Sequence, residues 1–178
     1  IEEIYAEEEQ DYMDDIELPQ SHHFEFDNVN FQYKDALVLN QMNCKVPEKS
    51  MTALVGVSGS GKTTMTSLLA RFWDVQSGKI LYGNKDIQQI KPELLLTNIS
   101  MVFQDVFLFN DTIMNNIRVG KMNATDKEVK EAAKLAQCHS FIEKLPDGYN
   151  TMVSEGGRSL SGGEKQRVGI ARCIVREP

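Results

Sequence analysis

One eight-residue segment, GVSGSGKT at residues 56–63, limits the possible folds of this chain more than any other feature. It fits the pattern G-x-x-x-x-G-K-[ST], the phosphate-binding P-loop, which lies between a strand and a helix. The apolar run at residues 51–55 precedes it and predicts a strand buried on both faces of a parallel sheet. Apolar residues recur at helical spacing in residues 63–73, which predicts a helix there. The sequence therefore predicts an α/β fold.

The residue types of this loop suit it to the phosphates of a nucleotide. Its glycines allow backbone N–H groups to point at a β-phosphate, and the N-terminus of the following helix adds its positive dipole end. Lys62 places a compact charge between the β- and γ-phosphates, Thr63 offers its hydroxyl to Mg²⁺, and Thr64 can reach the α-phosphate. The candidate nucleotide-binding residues are Gly56, Ser58, Gly59, Ser60, Gly61, Lys62, Thr63 and Thr64. A P-loop alone leaves kinases, GTPases, helicases and transport ATPases open.

A second glycine-rich segment, LSGGEKQR at residues 160–167, predicts the start of another helix. Ser161 followed three residues later by Glu164 is a capping box. The N-terminus of such a helix exposes the Ser161 hydroxyl and the N–H groups of Gly162 and Gly163, which together form a second anion site. Roughly 100 residues separate this site from the P-loop. The two sites therefore need not face each other within one molecule.

Other segments predict strands and helices around these two motifs. Residues 23–33 alternate apolar with polar side chains, and residues 36–39 resume the alternation, which indicates an antiparallel β portion. Residues 99–103 form a β-like run, and the following Gln104 would place its amide at the end of a strand, near Mg²⁺ or an attacking water. A second capping box, Thr125 with Glu128, predicts a helix over residues 126–138, and a short helix is expected over residues 139–145.

Taken together and in this order, the motifs resemble the ATP-binding cassette (ABC) family. LSGGEKQR resembles the signature motif of that family. Tyr33 in FQY stands at the position of its aromatic A-loop residue, and Gln104 in MVFQD at that of its Q-loop glutamine. The segments TIMNNI at residues 112–117 and VSEGG at residues 153–157 are similar to the exporter branch of the family.

The resemblance implies a fold and a division of the chain. Residues 1–21 would form an acidic linker that follows a membrane domain upstream in the same chain, and residues 22–178 a partial ATP-binding domain. The fold class is α/β: a P-loop NTPase (RecA-like) core with an antiparallel β subdomain, a helical signature subdomain at roughly residues 105–175, and the C-terminal strands missing. The whole protein would lie at the cytoplasmic face of a membrane, as part of an integral membrane protein.

The same resemblance implies ATP and Mg²⁺ as cofactors and assigns roles to individual side chains. Tyr33 would stack on adenine, a contact worth about 1–3 kcal/mol per base. Lys62 and Gln104 would take part in catalysis, and Thr63 and Gln104 would hold the metal. The function implied is that of a motor that binds and hydrolyses ATP to drive the translocation of an exported substrate.

The resemblance also implies a partner for the signature segment. In the family, two nucleotide-binding domains meet head to tail, as a homodimer or a heterodimer. Ser161, Gly162 and Gly163 of one domain would close on the γ-phosphate held by the P-loop of the other. ATP would then hold the dimer together.

Family members continue after a segment like Arg176-Glu177-Pro178 into a Walker B strand that ends in Asp-Glu, then into a D-loop and a switch histidine. None of these occurs in the 178 residues. The catalytic glutamate would therefore lie beyond Pro178. We expect the 178-residue chain alone to bind ATP poorly and to hydrolyse none.

Charge and composition narrow the alternatives. Residues 1–18 hold nine of the 26 acidic residues and no basic one, which leaves 17 acidic against 19 basic residues in the remainder. This balance disfavours a nucleic-acid partner, which would need a clear basic excess. The three cysteines lack the spacing of metal ligands or of a disulfide framework. Two alternatives remain: a soluble ABC ATPase of DNA repair or translation, and a non-hydrolysing regulatory ABC domain.

Overall fold

A computed structural model describes residues 17–177 of the chain. Residues 1–16 of the acidic linker expected over residues 1–21 therefore lie outside the described residues. The chain forms two compact units, which divide between Asn98 and Ile99. In the described part of the chain, no helix is both long enough and apolar enough to cross a membrane.

The first unit contains a four-stranded antiparallel sheet and two short helices. The sheet has the order β2-β1-β3-β4, so that β1 lies between β2 and β3. Its elements are β1 (Phe24–Tyr33), β2 (Ala36–Val46), β3 (Ser77–Tyr82) and β4 (Lys85–Asp86), with the helices α1 (Lys62–Leu69) and α2 (Pro92–Thr97). The antiparallel β portion expected from the alternating sequence is confirmed, with Lys34 and Asp35 in the turn.

An irregularity in β1 explains why its buried residues do not alternate strictly. Phe26, Val29 and Phe31 are all buried, although an even spacing would put Phe26 and Phe31 on opposite faces. The register with both neighbouring strands shifts after Phe26, and Asn28 has a left-handed backbone with φ 50°. Such a bulge inserts a residue and resets the alternation. All three side chains therefore reach the same core.

The strand expected over residues 51–55 does not form. The segment has no regular secondary structure, and Met51 and Val55 are 99% and 92% exposed. No strand among the described residues pairs with it. A strand needs hydrogen-bonding neighbours and a covering apolar layer, which the sequence of one segment cannot supply. The parallel sheet expected beside the P-loop is therefore not observed among the described residues, and the four-stranded sheet of this unit is antiparallel throughout.

The second unit is built around helices that pack on a shared apolar core. Two short strands, β5 (Asp111–Thr112) and β6 (Met152–Val153), pair antiparallel beside them. The helices are α3 (Ile113–Arg118), α4 (Asp126–Leu135), α5 (His139–Ile142) and α6 (Gly162–Arg176). Both α3 and α4 pack against α6, and Ile117, Val129 and Val168 are fully buried between them. The helices α4 and α5 each end three residues earlier than the sequence predicts.

The run expected to be a strand over residues 99–103 is also irregular, and α6 accounts for its path. Arg176 Nη1 donates to the carbonyl of Ile99 at 3.2 Å, and the Cys173 thiol donates to that of Met101 at 3.2 Å. Burial raises the pKa of the Cys173 thiol, which keeps it protonated as a donor. Side chains of α6 thus donate hydrogen bonds to backbone carbonyls of residues 99–103 that, in a sheet, would accept hydrogen bonds from a neighbouring strand.

The capping box at the start of α4 is confirmed and is joined by a lysine. Glu128 N donates to Thr125 Oγ1 at 3.3 Å, and Thr125 N donates to Glu128 Oε2 at 2.7 Å. Lys121 Nζ donates to the other carboxylate oxygen at 2.8 Å. The hydrogen bond from Lys121, followed by those from Thr125, lowers the pKa of Glu128 to about 2.

Because the folded-state pKa of Glu128 lies below its ordinary value of 4.5, its contribution to stability is present above pH 4.5. It is lost as the pH falls from there towards 2. We expect Glu128→Gln to lower the midpoint of urea unfolding at pH 7 and to differ little from the parent chain near pH 2.5. Glu155→Gln removes the same charge at another exposed site and should change the midpoint less. If Glu128→Gln lowered the urea midpoint equally at pH 7 and near pH 2.5, the stabilising role of the ionised Glu128 carboxylate would be contradicted.

Candidate nucleotide-binding site

The P-loop forms an open turn that leads directly into α1. Residues 56–60 are exposed, and Ser60 N donates to the carbonyl of Val57 at 3.2 Å, which closes the turn. Gly59 and Gly61 have left-handed backbones with φ 80° and 85°. Gly61 also lies against β2, where an added Cβ would come within 3.0 Å of Leu39 Cδ2. The backbone at Gly61 therefore requires glycine.

Lys62 lies over this loop and bonds its backbone. Its ammonium donates to the carbonyl oxygens of Gly56 at 2.9 Å and Val57 at 2.7 Å, and to Ser60 Oγ at 3.3 Å. The positive charge is thus concentrated at the N-terminus of α1, where the helix dipole also favours an anion. The ammonium and the start of α1 therefore lie together at the glycine-lined loop.

The two threonines that follow differ in exposure. Thr63 is exposed, whereas Thr64 is 7% exposed in the first turn of α1. Because Thr63 is exposed, its hydroxyl is accessible to a metal ion that approaches from solvent. A hydroxyl and an amide oxygen, the donors of Thr63 and Gln104, are the hard oxygen ligands that Mg²⁺ prefers. The donor chemistry therefore fits Mg²⁺. Thr63 belongs to the first unit and Gln104 to the second.

Tyr33 lies at the end of β1 and is 38% exposed. Its ring is perpendicular to that of Phe31, with centroids 4.8 Å apart, and to that of Trp73, with centroids 5.5 Å apart. The sequence predicts the position of Tyr33 but not its contact with Trp73. The available signal was the aromatic pair Phe72-Trp73, which lies a few residues after the end of α1.

Gln104 is exposed and follows the irregular segment rather than a strand. Its backbone carbonyl accepts a hydrogen bond of 2.7 Å from Gln166 Nε2 on α6. Sequence reasoning missed Gln166, which belongs to the signature segment but has no motif role of its own. Gln166, Cys173 and Arg176 of α6 together bond the carbonyls of Gln104, Met101 and Ile99.

The signature segment forms the capping box expected for it. Ser161 N donates to Glu164 Oε2 at 2.8 Å, Ser161 Oγ donates to the same oxygen at 2.7 Å, and Glu164 N lies 3.4 Å from Ser161 Oγ. The hydrogen bonds from the Ser161 hydroxyl and N–H lower the pKa of Glu164. Its carboxylate therefore stays ionised near neutral pH.

The glycines of the signature leave the start of α6 open. Ser161, Gly162 and Gly163 are exposed. An added Cβ at Gly162 would meet nothing within 4 Å, and one at Gly163 only Arg167 Nη1 at 3.5 Å. Packing within the chain therefore does not require glycine at residue 162. The absence of side chains here leaves room for another molecule to approach.

The chain is similar to several proteins of known class. A family model described as "ABC transporter" matches residues 39–178. The chain is 46% identical over 153 residues to an ATP-dependent lipid A-core flippase of Desulfotalea psychrophila, covering 86% of this chain and 27% of the relative. It is 47% identical over 176 residues to ATP-binding cassette sub-family B member 6 of Xenopus tropicalis, covering 96% and 21%.

A solved structure gives the same result for the fold. The structure of a bacterial Atm1-family ABC exporter with ATP bound has a TM-score of 0.92 and 41% sequence identity to this chain. The match covers 99% of this chain and 32% of the solved one. The chain thus spans about a fifth to a third of the length of these three relatives. The expected fold class, a P-loop NTPase of mixed α and β structure, is confirmed.

Proposed function

The chain belongs to the ABC transporter family as a nucleotide-binding domain of the exporter type, and we propose that it binds and hydrolyses ATP to drive a membrane exporter. The observation that carries the proposal is the ammonium of Lys62 held over a glycine-lined loop at the N-terminus of α1. The exporter relatives favour this function over that of a soluble ABC ATPase in DNA repair or translation.

We propose that the P-loop holds the triphosphate. Backbone N–H groups of residues 58–62 bind the β-phosphate, and Lys62 exchanges its carbonyl partners for oxygens of the β- and γ-phosphates. Thr64, buried in the first turn of α1, would reach the α-phosphate through its backbone N–H. Thr63 and Gln104 would hold Mg²⁺, which supplies neutralisation of phosphate charge. Gln104 also orients the attacking water through its side-chain amide.

The signature segment is proposed to serve a second copy or a related nucleotide-binding domain. Gly162 and Gly163 present two N–H groups at an open helix start. The Ser161 hydroxyl, which donates to Glu164 Oε2 in this structure, would exchange that acceptor for a phosphate oxygen. These groups would bind the γ-phosphate held by the partner in a head-to-tail dimer. The membrane domain is proposed to precede this domain in the same chain, and this domain is proposed to lie at the cytoplasmic face of the membrane.

We also expect the 178-residue chain by itself to turn over no ATP. In the described residues, the segments 51–55 and 99–103 find no strand partner, and the first of these leads directly into the P-loop. A loop that follows an unpaired, exposed segment is poorly positioned for catalysis. Comparison of phosphate release by the chain and by the intact protein checks this, and equal rates would contradict it.

Cysteine cross-linking in the intact protein tests the head-to-tail arrangement. Cys44, Cys138 and Cys173 are first replaced by alanine, and two copies are then combined, one with Ser58→Cys in the P-loop and one with Ser161→Cys. We expect a cross-linked dimer that forms several-fold faster with ATP than without it. Both positions are exposed, so that failure to react does not follow from burial.

The matched control combines Ser58→Cys with Ser140→Cys, an equally exposed serine on α5. This pair is expected to remain uncross-linked with ATP. Equal cross-linking at residues 140 and 161, or no ATP dependence at residue 161, would contradict the proposed dimer.

A further inference from the structure

We propose that Trp73 is a positioning residue for adenine recognition, which fixes the ring of Tyr33 beside the P-loop. The proposal rests on the proposed function, because it assumes that Tyr33 receives the base of a bound ATP. Trp73 is the only tryptophan of the sequence. It lies four residues after the end of α1 and is 53% exposed.

The rings form an aromatic corner that we define as Phe31, Tyr33 and Trp73. Phe31 is buried, whereas Tyr33 and Trp73 are 38% and 53% exposed. The interplanar angles of Tyr33 with Phe31 and with Trp73 are 90° and 86°. Perpendicular contacts of this kind are a favoured arrangement of aromatic pairs. They restrict the orientation of Tyr33 while part of its ring stays accessible to a base.

The turn that carries Trp73 is held by a buried arginine. Arg71 has a left-handed backbone with φ 54°, and its side chain is almost fully buried. Its guanidinium donates to Asp74 Oδ1 at 3.0 Å and to the carbonyl of Ile90 at 2.6 Å. These bonds fix the residues on both sides of Trp73. The indole therefore occupies a defined position although half of it faces solvent.

A second link ties this turn to the strand end that carries Tyr33. Gln32 N donates to Gln76 Oε1 at 2.9 Å, and Gln76 Nε2 donates to the carbonyl of Gln32 at 3.3 Å. Gln76 N also donates to the carbonyl of Asn30 at 3.2 Å. Three hydrogen bonds of one residue, Gln76, thus join the segment that follows Trp73 to the end of β1.

The aromatic corner lies at a suitable distance from the phosphate site. Tyr33 pairs with Ala36 across the hairpin, and Val38 lies two residues further along β2. Two residues of strand span about 7 Å. Val38 Cγ1 would lie 3.3 Å from a Cβ at Gly61, so that this part of β2 borders the P-loop. A ribose and its α-phosphate can bridge such a gap between a base at Tyr33 and phosphates at Lys62.

The test compares the dissociation constants of ATP and inorganic tripolyphosphate for the intact protein, measured calorimetrically in EDTA to prevent hydrolysis. Tripolyphosphate has no base, so that the ratio of the two constants isolates adenine recognition. We expect Trp73→Ala to weaken ATP binding about three- to tenfold and to leave tripolyphosphate binding unchanged. Trp73→Phe retains a ring and should restore most of the ATP affinity.

Two further variants separate positioning from general damage. Tyr33→Ala is expected to lower the ATP affinity at least as much as Trp73→Ala, and the double variant no more than Tyr33→Ala alone, because Trp73 acts through Tyr33. Phe72→Ala removes a neighbouring exposed ring and should leave the ratio unchanged. Additive effects in the double variant, or equal loss of both ligands in Trp73→Ala, would overturn the proposal.

The Lys62→Ala variant distinguishes this inference from the proposed function. It should weaken ATP and tripolyphosphate binding together. If the parent protein binds neither ligand, or if Lys62→Ala changes neither affinity, both proposals are overturned. If Lys62→Ala behaves as expected while Trp73→Ala leaves the ratio unchanged, only the role of Trp73 is overturned.

Discussion

Replacement of Lys62 by alanine is expected to lower the rate of ATP turnover by the intact protein at least about 100-fold, the usual effect of removing a donor that stabilises transition-state charge. The ammonium lies over the P-loop, 2.9 Å from the carbonyl of Gly56 and 2.7 Å from that of Val57. In the proposed mechanism, the Lys62 ammonium stabilises the negative charge that develops on the γ-phosphate in the transition state. Alanine supplies neither this charge nor its hydrogen bonds.

Phosphate release at saturating ATP measures the effect. The matched control is Lys79→Ala, which removes the same charge from an exposed position on β3 and should leave turnover within about twofold. A Lys62→Ala variant that retains the parental rate would contradict the P-loop assignment. If Lys62→Ala and Lys79→Ala lower ATP turnover equally, the effect results from the change in net charge and not from the position of Lys62.

The replacement Gly162→Asp is expected to change activity and stability in different directions. An aspartate in the first turn of α6 is favoured by the helix dipole, and a Cβ at residue 162 meets nothing within 4 Å. The melting temperature should therefore stay the same or rise. Its carboxylate would face the γ-phosphate held by the partner domain, where two like charges about 4 Å apart repel strongly. We expect ATP turnover to fall about 100-fold.

The neutral variant Gly162→Asn has a similar size and separates charge from bulk. It should retain clearly more turnover than Gly162→Asp, and both variants should melt within a few degrees of the parent protein. If the aspartate variant keeps full turnover, Gly162 does not approach a phosphate. If it melts far below the parent, the loss of activity reflects damage to α6 itself.

Features fixed by short-range chemistry could be predicted from the sequence. The capping boxes of Thr125 with Glu128 and of Ser161 with Glu164 involve residues three positions apart, and both formed as expected. The P-loop depends on glycines at positive φ, and the sequence supplies them at Gly59 and Gly61. Local hydrogen bonds and backbone restrictions are sufficient for these elements.

Features that depend on distant partners could not be predicted in the same way. Residues 51–55 have the composition of a buried strand, but composition does not supply the neighbour with which a strand must pair. The helix α1 was expected to reach Trp73 and ends at Leu69, because the buried Arg71 bonds Ile90 and Asp74 in a left-handed turn. No periodicity in the sequence signals such a contact.

The hydrogen bonds that α6 makes to the segment before it have a mechanical consequence. A segment paired in a sheet is fixed relative to the sheet, whereas residues 99–104 are bonded to a 15-residue helix by Gln166, Cys173 and Arg176. A helix of that length spans about 22 Å. We therefore expect a tilt of α6 to displace the backbone of Gln104 together with Ser161, because both are attached to the same helix.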